Sequence, residues 1–293
     1  MKIVIFGGTG FIGKNLLEQL GNNYLIIAPP HREVDLQSED DVQSFFRKQR
    51  AEVVINCALD GGERTDTNPQ DMFYQNLRIF FNLIKSKPFF KKLIHFGSGL
   101  EYARDRNIKK VTEDEFDKKI PTDIRGFYKY ICSKYIENME GIVNLQIFGL
   151  YGKYEDYKLR FISNAICRKI LGLPITINQD VYFDYVYIND LVKIVNYFIQ
   201  YDGRYKFYNI GTGQAINLLT IAHKINKIGE NKSRIIVKKK GLNYEYTCDN
   251  TRLLKEIKNL RFTDFDKTLK ELFDWYGSIK HTLDRGSFKT NKS

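Results

Sequence analysis

The segment Gly7-Gly8-Thr9-Gly10-Phe11-Ile12-Gly13 decides the fold of this chain. It follows a short apolar run at residues 3–6 and opens a helical pattern at residues 15–20. Glycines spaced G-x-x-G-x-x-G between a strand and a helix are typical of a turn that holds a dinucleotide. The first glycine allows the tight turn, the middle one lets the backbone approach a pyrophosphate, and the last lets the helix pack on the strand. The helix N-terminus then offers unpaired N–H groups to the phosphates.

Short apolar strands alternate with amphipathic helices through the first half of the chain. This alternation predicts parallel β-α-β units that are buried on both faces. We therefore expect an α/β protein with a doubly wound parallel sheet of the Rossmann type and a smaller C-terminal α/β lobe. The predicted strands are 3–6, 24–28, 53–58, 93–97 and 143–148, and the helices between them are 15–20, 42–50, 72–85 and 128–139.

The pattern of predicted elements changes after about residue 152, where helices, loops and short strands follow one another. We predict a dinucleotide-binding domain over residues 1–153, to which residues 182–203 return. The second lobe then comprises residues 154–181 and 204–281. Residues 282–293 are polar and are predicted to be a frayed tail.

Charge and cysteine content bound the partners and the compartment. Lys and Arg number 46 against 35 Asp and Glu, which gives a net charge of +11 and favours anionic ligands. The three lysines at residues 238–240 are too short a run for a nucleic-acid arm, so we predict no nucleic-acid partner. No apolar stretch approaches the roughly 18 residues of a membrane span, and none resembles a signal peptide. Scattered cysteines without a C-x-x-C pair predict reduced thiols in a cytoplasmic protein and no metal site: Cys57, Cys132, Cys167 and Cys248.

The end of the second predicted strand indicates which dinucleotide binds. Arg32 can pair with a 2′-phosphate, which favours NADP, and His31 precedes it. Asp35 lies near the usual spacing for an acid that binds the ribose of NAD, but it falls well beyond the strand end. We assign Asp35 to the adenine side of the site and keep NAD as the alternative cofactor.

Tyr130 and Lys134 form a Y-x-x-x-K pattern. Residues four apart share one helix face, so the phenol and the ammonium can point into one site. A nearby ammonium lowers the pKa of a tyrosine and makes it a usable proton donor and acceptor. Ser98 ends a predicted strand, which is where open α/β sheets place their sites. Order and spacing therefore predict one catalytic group of Ser98, Tyr130 and Lys134.

With these motifs the chain resembles the extended short-chain dehydrogenase/reductases, in the NAD-dependent epimerase/dehydratase group that modifies nucleotide sugars. The resemblance extends over roughly residues 1–280 and includes the segments Val54-Ile55-Asn56-Cys57-Ala58, Phe183-Asp184-Tyr185 and Tyr208-Asn209-Ile210-Gly211. It implies that Leu36, Cys57 and Ala58 line the cofactor site with the glycine segment. It also implies a nucleotide-diphosphate sugar as substrate, bound through the second lobe, and a homodimer formed through a four-helix interface.

The resemblance also implies a role for each catalytic residue. Tyr130 is then the general acid and base, Ser98 hydrogen-bonds the reacting oxygen, and Lys134 binds the nicotinamide ribose. Arg160 is a candidate for the diphosphate, with a solvated helix-start arginine as the equally weighted alternative. Gly99 and Leu100 stand where the 4,6-dehydratases of the group carry Asp-Glu, so dehydration is not expected.

Reductases similar to GDP-fucose synthase are the nearest match among the remaining activities. We therefore expect an NADP(H)-dependent reductase of a nucleotide-linked 4-keto-6-deoxysugar. A 4-epimerase with tightly bound NAD is the first alternative, because it needs the same three residues. A cofactor-sensing or RNA-binding member of the fold is the second, although the tyrosine and lysine of the motif argue against it.

Overall fold

A computed structural model of the chain describes residues 1–59 and 69–288. The strands are β1 (Lys2–Phe6), β2 (Leu25–Ile27), β3 (Ala51–Asn56), β4 (Phe90–Ser98), β5 (Ile108–Val111), β6 (Ile142–Ile147), β7 (Gly149–Tyr151), β8 (Ile175–Asp180), β9 (Tyr182–Tyr187), β10 (Phe207–Ile210), β11 (Ala215–Asn217), β12 (Ile235–Leu242) and β13 (Tyr246–Cys248). The α-helices are α1 (Phe11–Leu20), α2 (Glu39–Lys48), α3 (Pro69–Lys85), α4 (Ile124–Ile136), α5 (Phe161–Ile170), α6 (Ile188–Gln200), α7 (Leu218–Asn226), α8 (Thr251–Glu256) and α9 (Phe265–Ser278).

The main sheet has the strand order β2-β1-β3-β4-β6-β10, and its neighbouring strands pair in parallel. Side chains alternate across its plane, as the two-residue period of a strand requires. Ile3 and Ile5 pack in the core cluster that includes Leu16 of α1. Val4 and Phe6 pack in the opposite cluster, under α2, α3 and α4. The predicted α/β class with a parallel Rossmann-type sheet is confirmed.

The second lobe contains the smaller sheets. Strands β11, β9, β13 and β5 form one sheet in that order, with β7 paired to β9. Strand β12 pairs with β8 in a separate two-stranded sheet. Helices α5, α7 and α9 pack against one another around these strands.

The predicted domain boundaries need three corrections. Helix α6 packs on α1 and β4, within the predicted return of residues 182–203, but β9 at the start of that return pairs with β11 and β13 of the second lobe. Strand β10 also pairs with β6, so the main domain takes in residues 207–210, beyond the predicted end of the return at 203. Strand β5 lies inside the predicted first domain but pairs with β13 of the second lobe. Local patterns of apolar residues give no information on which sheet a strand joins.

The predicted tail is partly packed. Leu283 and Phe288 are buried, and the Phe288 ring stacks on Tyr157 with centroids 5.6 Å apart. Arg168 donates to the Phe288 carbonyl oxygen at 3.1 Å. The prediction of a frayed end from residue 282 is therefore wrong as far as residue 288, because two apolar side chains in the polar segment anchor it.

Within the ranges that the structure describes, no helix is both long and apolar enough to cross a membrane.

Candidate active site

The glycine turn packs tightly against the end of β3. Gly7 has a φ of +74°, and a Cβ there would lie 2.6 Å from the backbone of Cys57 and Ala58. A Cβ on Gly13 would lie 2.2 Å from the carbonyl oxygen of Gly7. Packing within the protein therefore requires glycine at both positions.

Gly10 differs, because the protein itself leaves room for a side chain there. Among residues 1–59 and 69–288, a Cβ on Gly10 would meet only the Gly7 carbonyl oxygen, at an ordinary 3.4 Å, and its φ of −81° suits any residue. Gly10 and Thr9 are exposed at the start of α1, and Gly10 at the N-cap has no side chain that could cap the first turn. Phe11 and Ile12 are half-buried against the core. A bare helix N-terminus above an open glycine fits a pyrophosphate.

The loop after β2 carries the residues predicted to select the cofactor. His31 and Arg32 are exposed, and His31 lies 3.8 Å from the Asp35 carboxylate. The Asp35 carboxylate accepts the Gln37 N–H at 2.9 Å. The buried Leu36 presents its carbonyl oxygen to Asn82. An open cavity of about 520 Å³ adjoins this loop and is lined by Asp35, Gln37, Ser38, Glu39, Asp40 and Arg78.

Cys57 and Ala58 follow β3 and lie beside the glycine turn. The Cys57 N–H donates to the Phe6 carbonyl oxygen at 2.9 Å, and the Ala58 N–H donates to Asn56 Oδ1 at 3.1 Å. Burial raises the pKa of the Cys57 thiol, so it stays neutral. These residues form an uncharged wall next to the predicted cofactor position.

Ser98 ends β4, at the carboxyl edge of the main sheet. Its hydroxyl oxygen accepts the Leu100 N–H at 3.2 Å and lies 3.4 Å from the Tyr246 hydroxyl. Glu101 is fully buried behind it and accepts the Ser98 N–H at 2.7 Å. A short 3-10 turn after Ser98 brings the Glu101 side chain inward, where a continued strand would have turned it away.

The Glu101 carboxylate accepts three hydrogen bonds. Ser133 Oγ and Gln146 Nε2 donate to its second carboxylate oxygen at 2.7 and 2.8 Å, in addition to the Ser98 N–H. Burial raises the pKa of Glu101 to about 7. Helix α4 is therefore tied through Ser133 to the strand end that carries Ser98.

The structure does not bring Tyr130 and Lys134 to this group. The Tyr130 hydroxyl donates to Asp117, and the Lys134 ammonium lies 3.0 Å from Asp117 and 2.5 Å from Glu137. The Tyr130 ring packs on Phe116, which stacks on a ring at the amino end of β10. Burial and then the Asp117 carboxylate raise the pKa of Tyr130, which is opposite to the predicted lowering.

Lys129 is the lysine of α4 that reaches the end of β4. Its ammonium donates to the Phe96 carbonyl oxygen at 2.6 Å, two residues before Ser98. Burial lowers the pKa of Lys129, and the charge of Glu101 opposes that change. The lysine of α4 at the end of β4 is therefore Lys129, whereas the predicted Lys134 bonds to Asp117 and Glu137. The position one helical turn before it is Arg125, so the tyrosine of the sequence motif does not fall in the expected place.

A capping signal could have revealed this placement. Helix α4 begins at Ile124, four residues before the predicted start at residue 128. Asp123 caps it by accepting the Gly126 N–H at 2.9 Å. An aspartate at the N-cap position is a common start signal, and it places Lys129 in the second turn of the helix.

Arg160 is exposed at the N-cap of α5. Its part in diphosphate binding stays a prediction. The Asp184 carboxylate, in contrast, has a clear structural role, since it accepts the N–H groups of Thr212 and Gly213 at 2.6 and 2.8 Å. Asp190 likewise accepts both the N–H and the hydroxyl of Thr263. These acids fix loops of the second lobe.

The parallel sheet, the open glycine turn and the serine at the strand edge define a dinucleotide-binding α/β protein. A sequence model described as the NAD dependent epimerase/dehydratase family matches residues 3–211, and the chain belongs to that family. The family comprises NAD(P)-dependent enzymes that act on nucleotide sugars.

Several relatives cover most of the chain at low identity. An ADP-L-glycero-D-manno-heptose-6-epimerase of Brachyspira hyodysenteriae is 24% identical over 79% of this chain and 82% of its own. A GDP-L-fucose synthase of Sinorhizobium fredii is 22% identical over 80% of this chain and 82% of its own.

Solved structures share the fold. A UDP-glucose 4-epimerase of Thermotoga maritima, solved with UDP-glucose, has a TM-score of 0.80 at 20% identity, covering 95% of this chain and 99% of its own. A GDP-mannoheptose C4 reductase of Campylobacter jejuni with NADP bound has a TM-score of 0.78 at 20% identity, covering 94% and 98%.

Proposed function

We propose that this chain is an NADP(H)-dependent reductase of a nucleotide-linked 4-keto-6-deoxysugar. The glycine turn holds the pyrophosphate, and Arg32 holds the 2′-phosphate. When bound, a reduced nicotinamide supplies the hydride that is added to C4 of the sugar. Ser98 hydrogen-bonds the C4 oxygen, and Lys129 holds the nicotinamide ribose at the end of β4. Arg160 of the second lobe is the proposed diphosphate contact.

One observation carries this proposal: Ser98 and the Lys129 ammonium both lie at the carboxyl end of β4. Lys129 lies 2.6 Å from the Phe96 carbonyl oxygen, and Ser98 follows two residues later. The family supports the nucleotide-sugar substrate. The reductase reaction is supported by the Campylobacter jejuni reductase, a fold relative that binds NADP.

The test is NADPH oxidation, followed by the absorbance of the reduced nicotinamide, with a panel of nucleotide-linked 4-keto-6-deoxysugars. We expect turnover with NADPH and weaker turnover with NADH. Arg32→Ala should reduce the preference for NADPH at least about tenfold, which corresponds to about 1.4 kcal/mol for a lost phosphate contact. Arg47→Ala, a substitution in the last turn of α2, is the matched control. A preference that survives Arg32→Ala would reject the cofactor assignment.

A nucleotide-sugar epimerase is the second candidate. The 24% identical heptose epimerase covers most of the chain, which favours it. An epimerase would carry bound NAD through purification and interconvert two nucleotide sugars with no net change in NADPH. Denaturing the purified protein and identifying the released nucleotide by chromatography distinguishes the two candidates.

We also propose a homodimer formed by α3 and α4. Large apolar side chains are exposed on these two helices: Tyr74, Phe127 and Tyr135. Light scattering on the purified protein tests this assembly, and a monomer mass at micromolar concentration would reject it.

A further inference from the structure

We propose that Tyr246, a residue of the second lobe, donates the proton to the reacting oxygen in place of a tyrosine on α4. This inference rests on the proposed reductase function. Within the part of the chain that the structure describes, Tyr246 is the tyrosine whose hydroxyl hydrogen-bonds Ser98. The two oxygens lie 3.4 Å apart.

The placement of Tyr246 is fixed from several sides. It lies on β13, which pairs with β5 and β9 at Ile108 and Phe183. Its ring is buried against Phe148, with centroids 4.9 Å apart. The Arg104 guanidinium carbon lies 5.0 Å from its ring centroid on another side. A ring held on these sides presents its hydroxyl to Ser98 without loss of side-chain entropy on substrate binding.

Helix α4 does not supply an equivalent donor. The lysine that reaches β4 is Lys129, and the residue one turn before it is Arg125. A guanidinium keeps its protons at any working pH, so Arg125 stabilises negative charge but does not transfer a proton. The Tyr130 hydroxyl donates its hydrogen bond to Asp117. The phenol proposed to supply the proton to the sugar oxygen is therefore that of Tyr246, on another element.

The chemistry balances with Tyr246 in that role. Hydride adds to the carbonyl carbon, and the C=O π pair moves to oxygen as an alkoxide. The O–H bond of Tyr246 breaks as a new O–H bond forms on the sugar, and the phenolate then regains a proton from water. Burial raises the pKa of Tyr246, so the phenol keeps its proton until the alkoxide forms. The negative charge thereby moves from the sugar oxygen to the phenolate of Tyr246. The Arg104 charge stabilises the phenolate.

The test compares Tyr246→Phe with Tyr244→Phe, an exposed tyrosine two residues away, in the NADPH oxidation assay. Tyr246→Phe keeps the ring and its packing, so the melting temperature should stay within a few degrees of wild type. We expect kcat to fall about a hundredfold or more, which is the usual contribution of a positioned acid. KM for the sugar and Kd for NADPH should change less than about threefold. Tyr244→Phe should match the wild type.

The other possible results reject either the reductase function or the role of Tyr246. Wild-type protein without turnover rejects the proposed reductase function and is seen before any variant is made. Active wild type with a Tyr246→Phe kcat within about threefold rejects Tyr246 as the donor, as does a change confined to KM. A hundredfold loss in Tyr130→Phe with normal turnover in Tyr246→Phe would return the role to α4.

Discussion

Two faces of helix α4 carry similar residues and have different surroundings. The Glu101 face, defined by Lys129 and Ser133, is bonded to β4 and Glu101. The Asp117 face, defined by Tyr130 and Lys134, is bonded to an exposed carboxylate. One residue along a helix rotates the side chain by about 100°. Lys129 and Tyr130 are neighbours in sequence and therefore point to different parts of the molecule.

This contrast teaches that the spacing of a motif does not give its direction. Any two residues four apart share a face, so the Y-x-x-x-K pattern is satisfied on whichever face it occurs. Only the partners around the helix decide which face meets the sheet. Here the face toward the strand end is the one whose Ser133 bonds the buried Glu101 carboxylate.

Replacing each of the two lysines with methionine gives the largest expected difference in kcat. Lys129→Met should lower kcat about a hundredfold or more, because it removes a preorganised charge beside the reacting centre. Lys134→Met should leave kcat within about twofold, since Lys134 binds carboxylates on the Asp117 face. Steady-state NADPH oxidation measures both. The reverse order would restore Lys134 as the functional lysine.

Replacing Ser133 on the Glu101 face tests its contribution to the stability of the fold. Ser133 is fully buried, donates to Glu101 and accepts from Asn144 Nδ2 at 2.7 Å. Ser133→Ala should lower the free energy of unfolding by about 1–3 kcal/mol, since buried partners lose their hydrogen bonds. Lys134→Ala is the matched control and should change it by less than about 1 kcal/mol. Urea unfolding measures the difference, and equal losses would remove the distinction between the faces.

The two faces should also show opposite pH dependence. Burial raises the pKa of Glu101 from 4.5 to about 7. The folded chain therefore binds this proton more tightly, and the stabilisation is full below about pH 4.5 and lost as pH rises through about 7. Hydrogen bonds from Tyr130 and then Lys134 lower the pKa of Asp117. Its stabilisation is present above about pH 4 and lost as pH falls further.

One variant of each carboxylate isolates its contribution to the pH dependence of the unfolding free energy. The difference in unfolding free energy between wild type and Glu101→Gln should fall with rising pH between about 4.5 and 7, by at most about 1.4 kcal/mol per unit. The difference for Asp117→Asn should fall with decreasing pH below about 4. Taking differences removes the shared contribution of His95, whose pKa burial lowers to about 3. Slopes of the same sign would contradict the assignment of the two carboxylates.

The smallest expected effect is that of Tyr130→Phe. Its hydroxyl bonds Asp117 and its ring packs on Phe116, so the loss of the hydroxyl should leave kcat within about twofold. A partly exposed hydrogen bond contributes about 1 kcal/mol to stability. Thermal unfolding and turnover of the same preparation check both values. A catalytic loss above tenfold would contradict the placement of Tyr130 outside the site.

Local sequence determines the parts of the fold that were predicted correctly. The glycine turn, the parallel strands and Ser98 at a strand end follow from short-range patterns of apolar residues and glycines. The start of α4 differs from the prediction because Asp123 caps the helix four residues earlier, and the lysine at the strand end lies five residues before Lys134. Tyr246 lies 148 residues from Ser98, so no spacing could connect the two. Sheet membership of β5 and β10 likewise depends on long-range pairing.

The return of β10 and α6 to the main sheet makes the two lobes inseparable. A fragment ending near residue 153 would leave the backbone of β6 unpaired along one edge, because β10 pairs with β6 there. It would also uncover the apolar surface beneath α6, whose Leu191, Val195 and Phe198 are buried. Unpaired strand edges and bare apolar surface promote aggregation. The nucleotide-binding half should therefore precipitate when produced alone, and the lobes must be expressed as one polypeptide.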